Sequence, residues 1–324
     1  MNTKTNSNLE QNSGNRLSAV FKNQPVFLII IMIIIGVIVS LINHRFLTIN
    51  NLFNIVLGVS TTGIVCVGMG TVLISGNFDL TLGPIISVLG IVMAIMISRT
   101  SIALTIIVVI LLGMALGAIN GIIVTRIKAH SFIVTLALSK VYEGAALLLG
   151  GGTYISLSGR FRFFSERLGG IIPWPTIVLI IVIISAYVVY RYTKFGRLLF
   201  AVGGNEKAAY LSGVKVRLFK ILAFTLAGGL YGVAALVLIS QLGVVYPSTG
   251  FSYTLPALAA IAVGGISLAG GKGSALGIFL GAVMFGLISN ALVLTGVDPF
   301  WRDVAAGFLI LMAVGISGAV SERS

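Results

Sequence analysis

The chain has 324 residues, 57% of them hydrophobic and only 9% charged, and its mean hydropathy is +1.11. A soluble domain of this length needs far more charged surface, so the water-soluble globular classes are excluded. The formal net charge of +13 points to basic loops on one side of a membrane and not to nucleic acid, because no soluble basic domain remains to grip a duplex.

Residues 1–24 are polar and rich in Asn and Ser, and read as a disordered tail on the cytoplasmic side. The next apolar run is followed by Asn43-His44-Arg45 and not by a small-residue cleavage site, so it reads as a retained span. Residues 25–324 then form a single membrane domain. Apolar runs of about 17–25 residues cross the hydrocarbon core, and in lipid such segments must be helical. The runs are continuous rather than alternating, which argues against a barrel. Ten spans are predicted, at about 26–43, 53–76, 80–98, 102–124, 131–149, 171–190, 218–240, 254–269, 275–294 and 302–319. With the N-terminus inside, most Lys and Arg fall in cytoplasmic segments, while Arg45, Arg99, Arg160, Arg162 and Arg167 fall outside. That bias supports cytoplasmic N- and C-termini and an all-α membrane bundle.

Glycines recur at four-residue spacing: Gly113, Gly117 and Gly121; Gly228 and Gly232; Gly273, Gly277 and Gly281. Small residues on one helix face let neighbouring helices approach closely, so these positions predict packing seams in a compact, Gly-rich bundle. Segments around Gly68–Gly83 and Gly264–Gly277 look alike, each running from a span through a Gly-rich break into another span. Transporters often bind solute near such breaks.

Polar residues inside or beside spans are the candidate site residues. Asp79, in Gly76-Asn77-Phe78-Asp79-Leu80-Thr81-Leu82-Gly83, is one of eight acidic residues. It or Thr81 can cap the helix that follows, or Asp79 can serve in gating. Pro84 is tolerated in the first turn of that helix. Asn120 and Asn290 lie deep in spans, as interhelical hydrogen-bonding groups or as part of a polar path. Asn77, Asp79, Asn120 and Asn290 are therefore the pathway or gate candidates. Lys140 and Glu143 share a helix face at i, i+3, as a structural pair or a transport element.

Catalytic and cofactor signatures are missing. Gly270-Gly271-Lys272-Gly273-Ser274 fails as a phosphate loop, because Ile266 occupies the position of the required first glycine. No zinc-protease helix, nucleophile elbow or metal-binding acidic pair occurs. Cys66 is the single cysteine, and His44 and His130 lie in different loops. No catalytic residue, cofactor or metal is expected, and any ATP that drives the process must be bound by another chain.

The segment from Arg191 to Lys220 carries seven basic residues and one acid, Glu206. Within it, Asn205 can cap a short helix over Glu206–Ser212, with Gly213 as its C-terminal stop. Such a helix can dock into a groove on a soluble partner or lie on lipid headgroups.

Phe195-Gly196-Arg197, Ala201-Val202-Gly203-Gly204-Asn205-Glu206, Ala208-Ala209 and Ser212-Gly213-Val214 resemble the cytoplasmic loop of the ribose-type permeases of ABC importers. Gly76–Gly83 is similar to that family's Gly-Gly-Ile-Asp-Leu-Ser-Val-Gly. Asn120-Gly121 with Val124-Thr125, the run Gly264–Gly273, and Gly296–Trp301 match further segments in order. Asn77-Phe78 in place of Gly-Ile is similar to the related branched-chain amino acid permeases, and Lys140 and Glu143 depart from the Arg-Gly pair of the sugar branch. The resemblance implies a permease subunit of the inner membrane, not an enzyme, that imports a monosaccharide or similar polar solute. It implies as partners a second permease subunit, identical or sister, an ATP-binding cassette ATPase, and a periplasmic or lipid-anchored solute-binding protein. It also implies that the 205–213 helix couples to the ATPase, through Phe195, Gly196, Arg197, Asn205, Glu206, Ala208, Ala209 and Gly213. A branched-chain amino acid permease and a self-sufficient secondary carrier stand as alternatives.

Overall fold

Apolar runs and capping residues set where the helices begin and end. The computed structural model describes residues 24–311 apart from residues 128, 162, 169–171, 299 and 302. In chain order the helices are α1 (Gln24–Ile42), α2 (Ile49–Ile74), α3 (Leu82–Ile97), α4 (Ile102–Arg126), α5 (Ser131–Gly150), α6 (Trp174–Tyr192), α7 (Lys194–Gly204), α8 (Glu206–Leu211), α9 (Val216–Leu242), α10 (Thr254–Val263) and α11 (Ala275–Leu294). Side chains cap several of them. Ser101 accepts from the Leu104 amide at α4, Thr193 from Gly196 at α7, and Ser274 from Gly277 at α11, each satisfying an otherwise unpaired first-turn donor.

Seven of these helices (α1, α2, α4, α5, α6, α9 and α11) are long and apolar enough to cross a membrane. The other two predicted spans that fall wholly on described residues are shorter than a full crossing. α3 has 16 residues, about 24 Å of helix. The span expected over 254–269 shortens to the 10 residues of α10, about 15 Å. It stops at Val263 because Gly264 packs on Gly277 and Gly265 takes φ +83, a left-handed conformation that ends a helix. Residues 303–311, the start of the tenth expected span, are helical. The rest of that span, the chain's C-terminus and the expected N-terminal tail lie outside the described residues.

The glycine series are packing seams. A Cβ at Gly113 would sit 2.4 Å from the Gly228 carbonyl oxygen, and one at Gly117 would sit 2.1 Å from that of Phe224, so α4 and α9 touch backbone to backbone. Gly277 and Gly281 bring α11 equally close to Gly264 and Ala260 of α10. α2 and α9 are the most buried long helices, whereas α1, α4 and α6 keep mostly exposed surfaces, the pattern expected of lipid-facing helices.

Contacts sort the loops into two ends. At one end Gln24 donates to the Val263 carbonyl, the Phe78 amide donates to Ser131 Oγ, and the Gly271 amide donates to the Ile74 carbonyl. The basic segment 191–220, Arg126 and Lys272 share this end. At the other end Asn43 donates to the Leu294 carbonyl and Arg160 to that of Ser98. Two-residue strands lie there as well: β1 (Ile155–Ser156) pairs with β4 (Val244–Val245), and β2 (Arg167–Leu168) with β3 (Ile172–Pro173), both antiparallel. The all-α expectation holds apart from these two short ribbons.

Candidate coupling site

At the basic end, α8 is a six-residue helix held by three local devices. Asn205 Oδ1 accepts from the Ala208 amide at 2.9 Å, and Gly213 follows the helix with φ +82. Glu206 Oε2 pairs with Lys220 Nζ of α9 at 2.6 Å. Ala209 is buried with Val202 of α7 and Val216 of α9. With Ala209 turned inward, Tyr210 and Leu211 point outward and are 70% and 76% exposed. Beside α8 an open groove of about 950 Å³ runs to the start of α9, lined by Glu206, Lys207, Tyr210, Lys215 and Arg217. Tyr210 lines this groove, and Leu211 stands exposed on the same short helix.

α7 carries α8. It starts at a tight α6–α7 turn in which Gly196 presses on Tyr190, since a Cβ there would lie 2.2 Å from the Val189 carbonyl oxygen. Phe195 stacks on Phe219 of α9, with ring centroids 5.8 Å apart. The sequence candidates therefore divide. Phe195, Gly196 and Ala209 are packed inside the loop, Asn205 caps the helix, and Arg197, Glu206, Ala208 and Gly213 are exposed. Tyr210 and Leu211 are the exposed apolar residues that motif matching passed over, and they become legible only once Ala209 fixes the inward face.

The far end of α7 meets both Gly-rich breaks. A Cβ on Gly203 would lie 1.8 Å from the Ile74 carbonyl oxygen and 2.7 Å from the Gly271 nitrogen. One on Gly271 would lie 2.3 Å from Gly204 Cα, and one on Gly270 would lie 2.6 Å from Gly76 Cα. The C-terminus of α2, the C-terminus of α7 and the α10–α11 loop thus form one junction built from glycine backbone. Gly76 and Gly270 take φ +79 and +87, which side chains other than glycine rarely adopt. Asn205 and α8 follow directly from this junction.

Behind it lies a buried polar chain. Tyr142 on α5 donates to Asn120 Oδ1 on α4 at 2.7 Å, and Asn120 Nδ2 donates to Thr81 Oγ1 at 2.7 Å. Thr81 donates to Asp79 through both hydroxyl and amide, and Tyr231 on α9 donates to Asp79 Oδ2 at 3.0 Å. Every donor points toward the carboxyl group, which completes the network as its acceptor. Asp79, Thr81, Asn120 and both tyrosines are buried, so the chain joins α3, α4, α5 and α9. Thr81 holds the N-cap position of α3 without a side-chain cap bond, so neither Asp79 nor Thr81 caps that helix by its side chain. Asn77 closes the local turn by donating to Ser75. Asn290 is remote from this cluster. It exchanges two 2.9 Å hydrogen bonds with Asn51, and both side chains border a cleft of about 320 Å³ at the opposite end, with Asn54, Thr62 and Ser289.

Residues 51–314 match the family described as "Branched-chain amino acid transport system / permease component". The ribose import permease of Haemophilus influenzae is 36% identical over 291 residues, covering 88% of this chain and 90% of the relative. The ribose import permease of Bacillus subtilis is 37% identical over 287 residues, covering 87% and 89%. The galactose/methyl galactoside import permease of Haemophilus influenzae is 28% identical over 328 residues, covering 93% and 97%. No solved structure matches the chain.

Proposed function

The chain belongs to the ribose-type branch of this ABC-importer permease family, and from that membership we propose that it forms the sugar path of an importer driven by a separate ATPase. Its solute is a monosaccharide delivered by an external solute-binding protein, and it sits in a bacterial inner membrane with the basic end in the cytoplasm. Residues 25–324 act as one permease domain. The supporting observation is the glycine junction, where the α7–α8 segment contacts the ends of both broken-helix pairs without intervening side chains.

In this reading the ATPase grips α8 by Tyr210 and Leu211 and by the charged groove beside them. Phe195 and Gly196 hold α7 rigid, and Asn205, Glu206 and Gly213 hold α8 in place. Closure of the ATPases on ATP pushes α8, and α7 carries the push through Gly203 and Gly204. The α2–α3 and α10–α11 breaks then move as units, because a backbone contact has no side-chain slack to absorb displacement. The Asp79 network acts as the lock that keeps α3, α4, α5 and α9 together, so the bundle rocks as a body and opens the path to one side at a time. Residues Asn77 and Asn120 belong to this gate by position, and Asn290 belongs to the mouth at the external end.

Co-purification tests the docking surface. The Tyr210→Ala, Leu211→Ala double variant is expected to insert normally but to lose its ATPase partner in mild detergent and to stop importing sugar. Retention of ATPase and uptake at the unsubstituted level would overturn the docking role of α8.

A further inference from the structure

The Asn51–Asn290 pair leaves hydrogen-bonding capacity facing the cleft it borders. Asn51 Nδ2 donates both to the Phe46 carbonyl and to Asn290 Oδ1, and Asn290 Nδ2 donates back to Asn51 Oδ1. An amide oxygen accepts two hydrogen bonds and an amide NH2 donates two, so the locked pair still offers one N–H of Asn290 and one acceptor position on each oxygen. Asn54 and Ser289 line the same cleft of about 320 Å³, and neither side chain has a hydrogen-bond partner among the described residues.

Thr62 lies deeper on the cleft wall, about 20 Å along α2, and is only 8% exposed. Ser60 and Thr71 on the same helix donate to the Val56 and Val67 carbonyls one turn back, a common way for a helical hydroxyl to be satisfied. The Thr62 hydroxyl makes no such bond and has no other partner among the described residues. A polar group so placed costs free energy unless a molecule in the cleft pairs with it. Gly58, one turn above Thr62, is a second observation. A Cβ there would meet nothing within 4 Å, whereas one at Gly286 across the cleft would lie 2.3 Å from Val59. Glycine weakens a helix, and at Gly58 no close helix contact calls for it. What the missing side chain preserves is the open space of the cleft.

The lining fits a neutral, hydroxyl-rich ligand. No charged residue among the described ones lines the cleft, so it offers no counter-ion to a phosphate, a carboxylate or an ammonium group. Amides and hydroxyls both donate and accept, as sugar hydroxyls do. The rings of Tyr253 and Phe285 add flat apolar surface for the C–H face of a sugar ring, and the volume is at the small end for ligand pockets. We propose that this cleft is a binding site for one neutral monosaccharide within each chain, at the end opposite the basic loops. Asn54, Ser289 and Asn290 hold hydroxyls at its mouth, and Thr62 holds one at its floor. The use of the site during import rests on the importer reading; its occupancy by sugar does not.

Cysteine protection tests it, since Cys66 is fully buried and can stay in place. Gly58→Cys is placed in membrane vesicles that expose this end and come from cells lacking the solute-binding protein. A membrane-impermeant maleimide is expected to label it. Ribose, xylose, arabinose or galactose is expected to slow labelling about fivefold at about four times its apparent Kd. Arg99→Cys, exposed at the same end but outside the cleft, is expected to label equally with and without sugar. Asn54→Cys serves as a second probe if Gly58→Cys fails to insert. An inserted Gly58→Cys chain that does not label overturns the open cleft. Labelling that none of the four sugars slows overturns the site, as does equal protection by glycerol phosphate or choline, or equal slowing at Arg99→Cys. Adding Thr62→Val is expected to raise the sugar concentration for half protection by about threefold to tenfold, and an unchanged concentration overturns the role of Thr62. Protection without sugar uptake by the complete, ATP-supplied transporter would support the site while overturning the importer reading.

Discussion

Asp79 accepts hydrogen bonds from Thr81 and Tyr231 in a site fully closed to solvent. Within a membrane bundle such bonds contribute modestly, because the unfolded state in lipid also finds partners. Removing one donor while leaving the carboxyl group in place costs roughly 1–3 kcal/mol. Tyr231→Phe is therefore expected to lower the midpoint of thermal unfolding in detergent by several degrees while preserving insertion. An unchanged midpoint would show that the Tyr231 bond carries no weight. Asp79 and Asn120 stand out in the sequence because polar residues are rare in its spans. Tyr142 and Tyr231 do not, because a tyrosine inside an apolar run reads as packing, and only the meeting of four helices shows where its hydroxyl goes. Asn290 shows the reverse case: it is equally conspicuous in sequence, and its partner Asn51 lies on a helix 239 residues away in the chain.

Helices bounded by strong caps and long apolar runs are legible before any coordinates. α11 matches its expected bounds, and Asn205 caps α8 as its position beside Gly213 implies. α7 is not anticipated, because an 11-residue helix of mixed basic and apolar residues looks like part of the loop around it. α10 is shorter than its apolar run suggests, because hydropathy does not register the turn that Gly264 and Gly265 impose. The contact of α7 with α2 is what the coupling reading requires of these elements. Gly203→Ala puts a methyl group 1.8 Å from the Ile74 carbonyl oxygen, so α7 must move off α2 to accept it. The expected result is a chain that still inserts and still binds its ATPase, while sugar uptake falls to background. Normal uptake by Gly203→Ala would show that the junction does not transmit the push. Gly204→Ala is a milder control, since its nearest contact, Gly271 Cα, is 3.9 Å away.

At the scale of the whole molecule, one end gathers the basic loops and the glycine junction, and the other closes on short ribbons and a cleft bordered by the Asn51–Asn290 pair. That polarity was legible from charge alone, because Lys and Arg concentrate in alternate loops. The exposure of Lys140 and Glu143 was not, since an i, i+3 spacing predicts the pair but not which way the shared face points. Nothing in the chain supplies a phosphate loop, so the account makes the bundle dependent on force received from outside through α8. Reconstitution tests that dependence most directly. Liposomes are prepared with this chain alone, with the chain plus its ATPase, and with the chain, ATPase, binding protein and ATP, and entrapped radiolabelled ribose, xylose, arabinose and galactose are counted. The account predicts accumulation only in the complete, ATP-supplied set, whether or not an ion gradient is imposed. Accumulation by this chain alone, driven by a proton or sodium gradient, would contradict it.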